Sequence, residues 1–235
     1  MIIALKLVLL AIGAYLLGSF NFARLISKRQ NSDITKLGSG NPGTMNMLRN
    51  LGVKAGALTL VCDAIKGAIP ALVGFFIFGG MGGDGMQYIG LYVGGLAVVL
   101  GHNFPIFYRF KGGKGVACML GVFLVARPVE TLIVVVFVFI YLCIFDYASV
   151  GSFILITAMT VMEALRVTEA GYAFEIALII KCLLFILFFL CWFMHRQNIF
   201  RLLVGKENKV NLRKALAKLG KKKEKKSVKK EKEIG

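Results

Sequence analysis

Residues 173–195 read AFEIALIIKCLLFILFFLCWFMH, and only Glu175 and Lys181 carry a formal charge within this apolar stretch. About 20 mostly apolar residues are enough for a helix to cross a hydrocarbon core of roughly 30 Å. A helix is favoured there because it satisfies its own backbone hydrogen bonds without water. The stretch therefore predicts a transmembrane helix, and 57% of the whole chain is hydrophobic in similar blocks.

Six further apolar segments precede this stretch and are separated by polar loops. They cover residues 2–22, 53–79, 88–107, 115–126, 129–145 and 150–165. We predict an all-α integral membrane protein, a polytopic bundle of about seven transmembrane helices. The segment 115–126 is too short to span upright, so five spans with re-entrant middle segments are the alternative.

Lysine and arginine residues are concentrated in alternate loops, which indicates how the chain is oriented in the membrane. The loops after the first, third and seventh segments are basic, whereas residues 80–87 carry only the charge of Asp84. Because basic loops stay on the cytoplasmic side, we predict the N-terminus outside and the C-terminus in the cytoplasm. A site built from the basic loops would then face the cytoplasm.

The formal net charge is +17, and residues 206–235 hold 13 Lys/Arg against four Asp/Glu. We predict two regions, a transmembrane domain over 1–208 and a disordered, lysine-rich cytoplasmic tail over 209–235. Such runs are attracted to anionic lipid, and a membrane-embedded body argues against nucleic acid as a partner. The five cysteines show neither a C-x-x-C pair nor a zinc spacing, so we predict no metal and no cofactor.

The first polar motif is the loop 37–49, LGSGNPGTMNMLR. Its glycines, Gly38, Gly40 and Gly43, let backbone amides turn toward a phosphate, and a helix starting near Thr44 would add a positive dipole end. Side chains expected to bind substrate or to act in catalysis are Ser39, Asn41, Asn46 and Arg49. The spacing also matches a dinucleotide fingerprint, which we reject because no strand precedes it; a flexible connector is the alternative.

The second motif is the loop 101–116, GHNFPIFYRFKGGKGV. Its glycines surround Lys114, and with Lys111 they form a candidate anion cradle, although the spacing of a P-loop is missing. The residues of this motif expected at the substrate are His102, Asn103, Lys111, Gly112, Gly113, Lys114 and Gly115. The alternative is a flexible loop whose charge serves only the orientation of the chain.

The third motif is the stretch 194–207, MHRQNIFRLLVGKE. If the last helix continues through it, His195 and Asn198 share one face, with Arg201 a further turn along. A histidine beside an amide suits proton transfer or hydroxyl binding, whereas an interfacial anchor is the alternative for His195. We expect Glu207 to pair with a cation and to hold the loop near the substrate.

Two charged residues, Asp63 and Lys66, lie inside the apolar segment 53–79. Charges within a membrane are costly, so they are usually paired or functional. At this spacing the two side chains can pair with each other on one helix face. Lys66 is also a candidate ligand for the substrate.

Together the three motifs resemble the acyl-phosphate-dependent glycerol-3-phosphate acyltransferases of bacteria. The likeness runs from about residue 1 to about residue 208 and includes 60–67, with Asp63 and Lys66. One departure is Met45, which places a thioether where the family usually has a hydroxyl side chain ahead of the asparagine at position 46.

The resemblance implies transfer of a fatty acyl group from acyl phosphate to the 1-hydroxyl of glycerol 3-phosphate, giving lysophosphatidate and phosphate. It implies a multi-pass protein of the bacterial inner membrane and links the Gly-Lys-Gly loop to the acyl-phosphate donor. The residues expected to act in catalysis are Ser39, Arg49, Lys114, His195 and Asn198. Expected partners are the two substrates, membrane lipid and, functionally, an enzyme that makes acyl phosphate.

The commoner acyltransferase motif His-x-x-x-x-Asp is absent, because Phe107 and Phe200 lie five residues after the two histidines. Two other classes stay open. A transporter of an anionic solute would explain the intramembrane charges, although no internal repeat supports it, and a scaffold could act through the basic tail. Within the enzyme hypothesis, the proton acceptor is either His195 or an oxygen of a substrate phosphate.

Overall fold

The computed structural model describes residues 1–81 and 83–217, which form α-helices joined by loops. The helices are α1 (Ile2–Ser19), α2 (Phe22–Arg29), α3 (Thr44–Leu51), α4 (Val53–Gly79), α5 (Met86–Asn103), α6 (Val116–Ala126), α7 (Pro128–Phe145), α8 (Ala148–Glu169), α9 (Phe174–Met194) and α10 (Arg196–Leu203). Two 3-10 turns, Ile34–Lys36 and Ile106–Tyr108, lie in the loops. No β-strand occurs among the described residues, and the predicted all-α class is confirmed.

Within the described residues, 6 helical stretches are long and apolar enough to cross a membrane. They are Ile2–Arg29, Val53–Gly79, Met86–Tyr108, Pro128–Phe145, Ala148–Glu169 and Phe174–Met194. The apolar helix α6 has only 11 residues, so it extends about 16 Å, roughly half the thickness of a hydrocarbon core. The protein is an integral membrane protein with several spans, while seven crossings and an external N-terminus stay predictions.

The first apolar segment is divided, because α1 ends at Ser19 and α2 begins at Phe22. The side chain of Asn21 accepts a hydrogen bond from the backbone N–H of Arg24 at 3.0 Å. Asparagine at this N-cap satisfies an amide that has no partner within its own helix. The break also leaves carbonyl groups at the end of α1 available to other side chains.

Helix α6 is held closely against α4 through small residues. A Cβ atom at Gly67 would clash with the carbonyl oxygen of Cys118, and one at Gly121 would clash with that of Ala64. Small residues allow two helix backbones to approach within a membrane, where the hydrophobic effect does not drive their association. This packing sets the position of the start of α6 and of the glycine-rich loop before it.

The predicted tail begins at residue 209, and its first part lies within the described residues. The backbone N–H groups of Val210 and Leu212 donate to the carbonyl and the carboxylate of Asp146, both at 2.9 Å. Both apolar side chains are buried beside Leu142, and residues 212–217 are helical. The rest of the predicted tail, 218–235, lies outside the described residues, and the division at 208/209 stays a prediction.

Candidate active site

A cleft of about 520 Å³ opens where the three polar motifs meet. It is lined by Arg24, Thr35, Ser39, Gly40, Asn41, Pro42, Tyr108, Arg109, Lys111, Gly112, Lys114, Met194, Arg196, Gln197, Asn198 and Arg201. The predicted site residues among them are Ser39, Gly40, Asn41, Lys111, Gly112, Lys114, Asn198 and Arg201. Residues far apart in the chain therefore share one cleft.

In the first motif, the side chain of Asn46 holds the loop through hydrogen bonds to its backbone. Its side-chain carbonyl accepts a hydrogen bond from Ser39 N at 3.1 Å, and its amide donates to the carbonyls of Ile34 and Leu37 at 3.2 and 2.9 Å. Asn46 is buried, and α3 begins at Thr44. The asparagine thus holds Ser39 at the cleft by binding backbone, and it does not itself line the cleft.

In the second motif, the glycine-rich loop rests on the end of α5. The N–H of Gly112 donates to the carbonyl of Asn103 at 3.2 Å, and the N–H of Gly113 donates to that of His102 at 3.1 Å. Gly115 has a φ of +79° and precedes the first residue of α6, a conformation that L side chains rarely adopt. These contacts direct Lys114 toward the third motif.

In the third motif, Glu207 connects several donors through its carboxylate. Asn198 donates to it at 2.7 Å, Ser149 at 3.1 Å and the Nε of Arg201 at 2.9 Å. The side-chain carbonyl of Asn198 accepts from the ammonium of Lys114. The predicted pairing of Glu207 with a cation is therefore present in its contact with Arg201, and the Lys114–Asn198 hydrogen bond connects the second and third motifs.

The family model described as glycerol-3-phosphate acyltransferase matches residues 8–205. The chain belongs to this family. A glycerol-3-phosphate acyltransferase from Aquifex aeolicus is 40% identical over 208 residues, which cover 87% of this chain and 100% of the relative. One from Thermoanaerobacter sp. is 37% identical over 204 residues, covering 86% of this chain and 95% of the relative.

Solved structures agree with this membership of the family. The crystal structure of PlsY (YgiH), an integral membrane glycerol 3-phosphate acyltransferase, in its glycerol 3-phosphate form matches with a TM-score of 0.73 and 36% identity. The match covers 87% of this chain and 95% of that one. The lysophosphatidic acid form of the same enzyme matches with a TM-score of 0.71 at 36% identity and the same coverage.

Met45, the departure from the usual motif of the family, lies away from the cleft. Its side chain packs with Leu48 against the apolar cluster of Leu142, Val210 and Leu212. A thioether is suited to such an environment because it is flexible and apolar. The substitution therefore extends an apolar contact between α3 and the chain after α10.

Two cations among the predicted site residues, Lys114 and Arg49, are both partly desolvated. Burial lowers the pKa of Lys114 to about 8, since the nearby carboxylate of Glu207 only partly offsets it and Arg201 and Arg49 add to it. Burial also lowers the pKa of Arg49, against the attraction of Glu207. Arg49 donates to the carbonyl of Asn208 at 3.4 Å. Both charges lie in a setting where a bound anion would stabilise them.

His195 occupies the junction between α9 and α10 and is buried. Helix α9 ends just before it, at Met194, so the last helix does not continue unbroken through the motif. Its Nδ1 lies 2.8 Å from the carbonyl oxygen of Cys191, which can only accept, so Nδ1 carries the proton and Nε2 has the free lone pair. Burial, with the charge of Lys114 second, lowers the pKa of His195 to about 4.

Other predicted residues lie around the cleft without lining it. They are Gly38, Gly43, Asn46, Arg49, Lys66, His102, Asn103, Gly113, Gly115, His195 and Glu207. Their predicted contacts with substrate stay predictions. Several of them hold residues that do line the cleft, as Asn46 holds Ser39 and Glu207 holds Asn198 and Arg201.

Sequence reasoning missed Arg24, which lines the cleft from α2. Its Nη2 donates to the carbonyl of Lys111 at 3.0 Å, and its guanidinium lies over the ring of Tyr108 at 4.7 Å. The basic loop contained this arginine, but its charge was assigned only to membrane orientation. The pairing across 87 positions has no local signal in the sequence.

A group of possible metal ligands, Asp63, His102 and Cys118, is buried between α4, α5 and α6. The ammonium of Lys66 lies 3.0 Å from the carboxylate of Asp63 and 3.1 Å from Nδ1 of His102. A lysine already supplies the positive charge in this group. The donor set is therefore occupied by a cation of the protein itself, and it does not fit a metal ion.

Proposed function

We propose that this protein transfers a fatty acyl group from acyl phosphate to the 1-hydroxyl of glycerol 3-phosphate. The hydroxyl oxygen bonds to the acyl carbon, the carbon–oxygen bond to phosphate breaks, and the hydroxyl proton passes to an acceptor. The products are lysophosphatidate and inorganic phosphate. Membership of the family supports the acyltransferase class and the acceptor, and the donor is part of the proposal.

The observation that carries the proposal is the charge of the cleft. Its basic lining residues are Arg24, Arg109, Lys111, Lys114, Arg196 and Arg201, and no carboxylate occurs among the lining residues that the structure describes. Both substrates carry phosphate, and two anions can enter one cleft only where cations offset their repulsion. Met194 and Tyr108 add apolar surface to the lining, which suits the start of an acyl chain.

The reaction needs little covalent help from the protein, since phosphate is already a good leaving group. Positioning of the two substrates and neutralisation of charge then supply most of the rate. His195 is buried and lies outside the cleft lining. An oxygen of a substrate phosphate is therefore the proton acceptor that we favour, with His195 holding the start of α10 through its carbonyl, which accepts from Asn198 N at 2.8 Å.

We propose that the protein lies in the inner membrane of a bacterium, with the cleft facing the cytoplasm. The basic residues around the cleft support this orientation, because positive loops remain on the cytoplasmic side. An acyl phosphate must then reach the cleft from another enzyme, so a functional link to an acyl-phosphate-producing acyltransferase belongs to the proposal. Membrane lipid is the solvent for the donor and for the product.

The test uses purified protein in detergent with a long-chain acyl phosphate and glycerol 3-phosphate. We expect phosphate release and lysophosphatidate, measured by mass spectrometry, in equal amounts. Acyl-coenzyme A replaces acyl phosphate in a parallel reaction and should give no product. Folded protein that forms no product, or that moves a phosphorylated solute across proteoliposomes without turnover, would falsify the proposal.

A further inference from the structure

Lys66 lies at the meeting point of several segments, and it is only 2% exposed. Its ammonium group donates to the carbonyls of Phe20 and Gly18 at 2.7 and 3.3 Å, where the helix α1 has just ended. It also pairs with Asp63 at 3.0 Å and lies 3.1 Å from Nδ1 of His102. One side chain thus connects α1, α4 and α5.

This arrangement explains why a lysine is tolerated within an apolar segment. A buried charge is stable only when it is paired and hydrogen-bonded. The carbonyls at the end of α1 have no partners in their own helix, and they attract a cation. The ammonium of Lys66 supplies that charge, and Asp63 balances it.

We call Lys66 with its contacts to Asp63 and to the end of α1 the anchor. The ring of His102 connects this anchor to the glycine-rich loop. Since the ammonium can only donate, Nδ1 of His102 accepts, and the ring is neutral with its proton on Nε2. Nε2 faces Gly113 so closely that a Cβ at that glycine would clash with it. The N–H groups of Gly113 and Gly112 donate to the carbonyls of His102 and Asn103.

We propose that Lys66, acting through His102, is a positioning residue that fixes the backbone of Gly112 and Gly113 and thereby directs Lys114 into the cleft. Lys66 and His102 do not touch the substrate in this account. The inference rests on the proposed function only in assuming that Lys114 binds a substrate phosphate. The ammonium of a long, flexible lysine has a defined position only when the backbone of that lysine is fixed. A displacement of a substrate-binding group by about 1 Å can reduce the rate about a hundredfold.

The test compares two matched double variants that each remove an ion pair with a buried carboxylate and leave the net charge of the protein unchanged. Asp63→Asn/Lys66→Met removes the anchor. Arg127→Met/Glu163→Gln removes the 2.9 Å pair between the start of α7 and α8, which contacts none of the three motifs. Removing both partners of a buried pair is often tolerated, and the single variant Lys66→Met serves as a second measurement.

The first readout is hydrogen exchange of the peptide 111–115, measured by mass spectrometry without any substrate. We expect exchange at Gly112 and Gly113 to be at least about tenfold faster in the anchor variant and unchanged in the control. The second readout is the KM for the phosphorylated substrates, which should rise about tenfold in the anchor variant with a smaller change in kcat.

Unchanged exchange in a folded anchor variant overturns the inference, and so does faster exchange with an unchanged KM in active enzyme. A control variant that shows the same increases overturns it as well, since the effect would then follow from lost stability. Hydrogen exchange is measured without substrate, so it tests the anchor separately from the reaction. If the wild-type protein did not use acyl phosphate, the proposed function would be overturned. Faster exchange in the anchor variant would still support the positioning role of Lys66.

Discussion

The ammonium of Lys114 donates a hydrogen bond to the side-chain carbonyl of Asn198, 84 positions later in the chain. Lys114 belongs to the glycine-rich loop before α6, and Asn198 belongs to α10. The same asparagine donates to Glu207 at 2.7 Å. The contact therefore connects two motifs of the family at the cleft.

Replacing Lys114 or Arg49 by alanine should reduce kcat/KM for the proposed reaction at least about tenfold, which is about 1.4 kcal/mol. Each variant removes a positive charge in a partly desolvated site where charge is worth more than in water. The exposed Lys28 on α2 provides the control, and Lys28→Ala should retain normal activity. Normal turnover in both site variants would remove these residues from the site.

The activity should depend on pH through Lys114, whose pKa is lowered to about 8 by burial. A lysine carries its charge below its pKa, so binding of anionic substrates weakens as pH rises through about 8. We expect kcat/KM to fall by up to about tenfold per pH unit above this value. Lys114→Arg keeps its charge throughout this range and should flatten the profile; an equal decline in that variant would contradict the assignment.

His195 should stay neutral throughout the physiological range, because its pKa is lowered to about 4. The imidazole gains its proton only below this value, so titration of His195 should produce no loss of kcat/KM near pH 6.5. His195→Ala removes the Nδ1–H hydrogen bond to the carbonyl of Cys191, which fixes the junction of α9 and α10, so kcat should fall at least about tenfold. The assignment would be contradicted if kcat/KM of the wild type fell below about pH 6.5 and this fall disappeared in His195→Gln, because the histidine would then titrate near neutral pH.

Arg24 should matter for the glycine-rich loop of the second motif, although it lies outside the three motifs. Arg24→Gln removes the guanidinium that donates to the Lys111 carbonyl at 3.0 Å and one charge of the cleft. We expect the KM for a phosphorylated substrate to rise about tenfold, because a charge-assisted hydrogen bond is worth about 1.5 kcal/mol or more. The matched change Lys28→Gln on the same helix should leave KM unaltered.

Two C-terminal truncations test which part of the predicted tail contributes to activity and to thermal stability. Removal of residues 218–235 should leave activity and Tm unchanged, which would argue against a scaffold that acts through its basic tail. Removal from residue 209 also removes Val210 and Leu212, which are buried beside Leu142. Burial of each is worth about 1.5–3 kcal/mol, so Tm should fall by at least about 4 °C. Equal behaviour of the two truncations would show that these contacts do not stabilise the body.

Hydropathy alone determined the class of this protein and the approximate position of each apolar helix. The glycine-rich, basic pattern of the loops indicated the three polar motifs. These properties follow from local composition, because a segment can span a membrane only if it is a long, mostly apolar helix. The division of the first segment at Ser19 was missed, since polar residues at a helix end permit either continuation or a break.

Only the tertiary structure decided which motif residues line the cleft and which hold them in place. Ser39 lines the cleft while Asn46 supports it, and Lys114 lines it while His102 supports the loop beneath. Arg24 joined the site through a contact across 87 positions. Sequence spacing describes neighbours along a helix, whereas these roles depend on how α1, α4, α5 and α6 pack, which brings distant carbonyls, glycines and cations within hydrogen-bond distance.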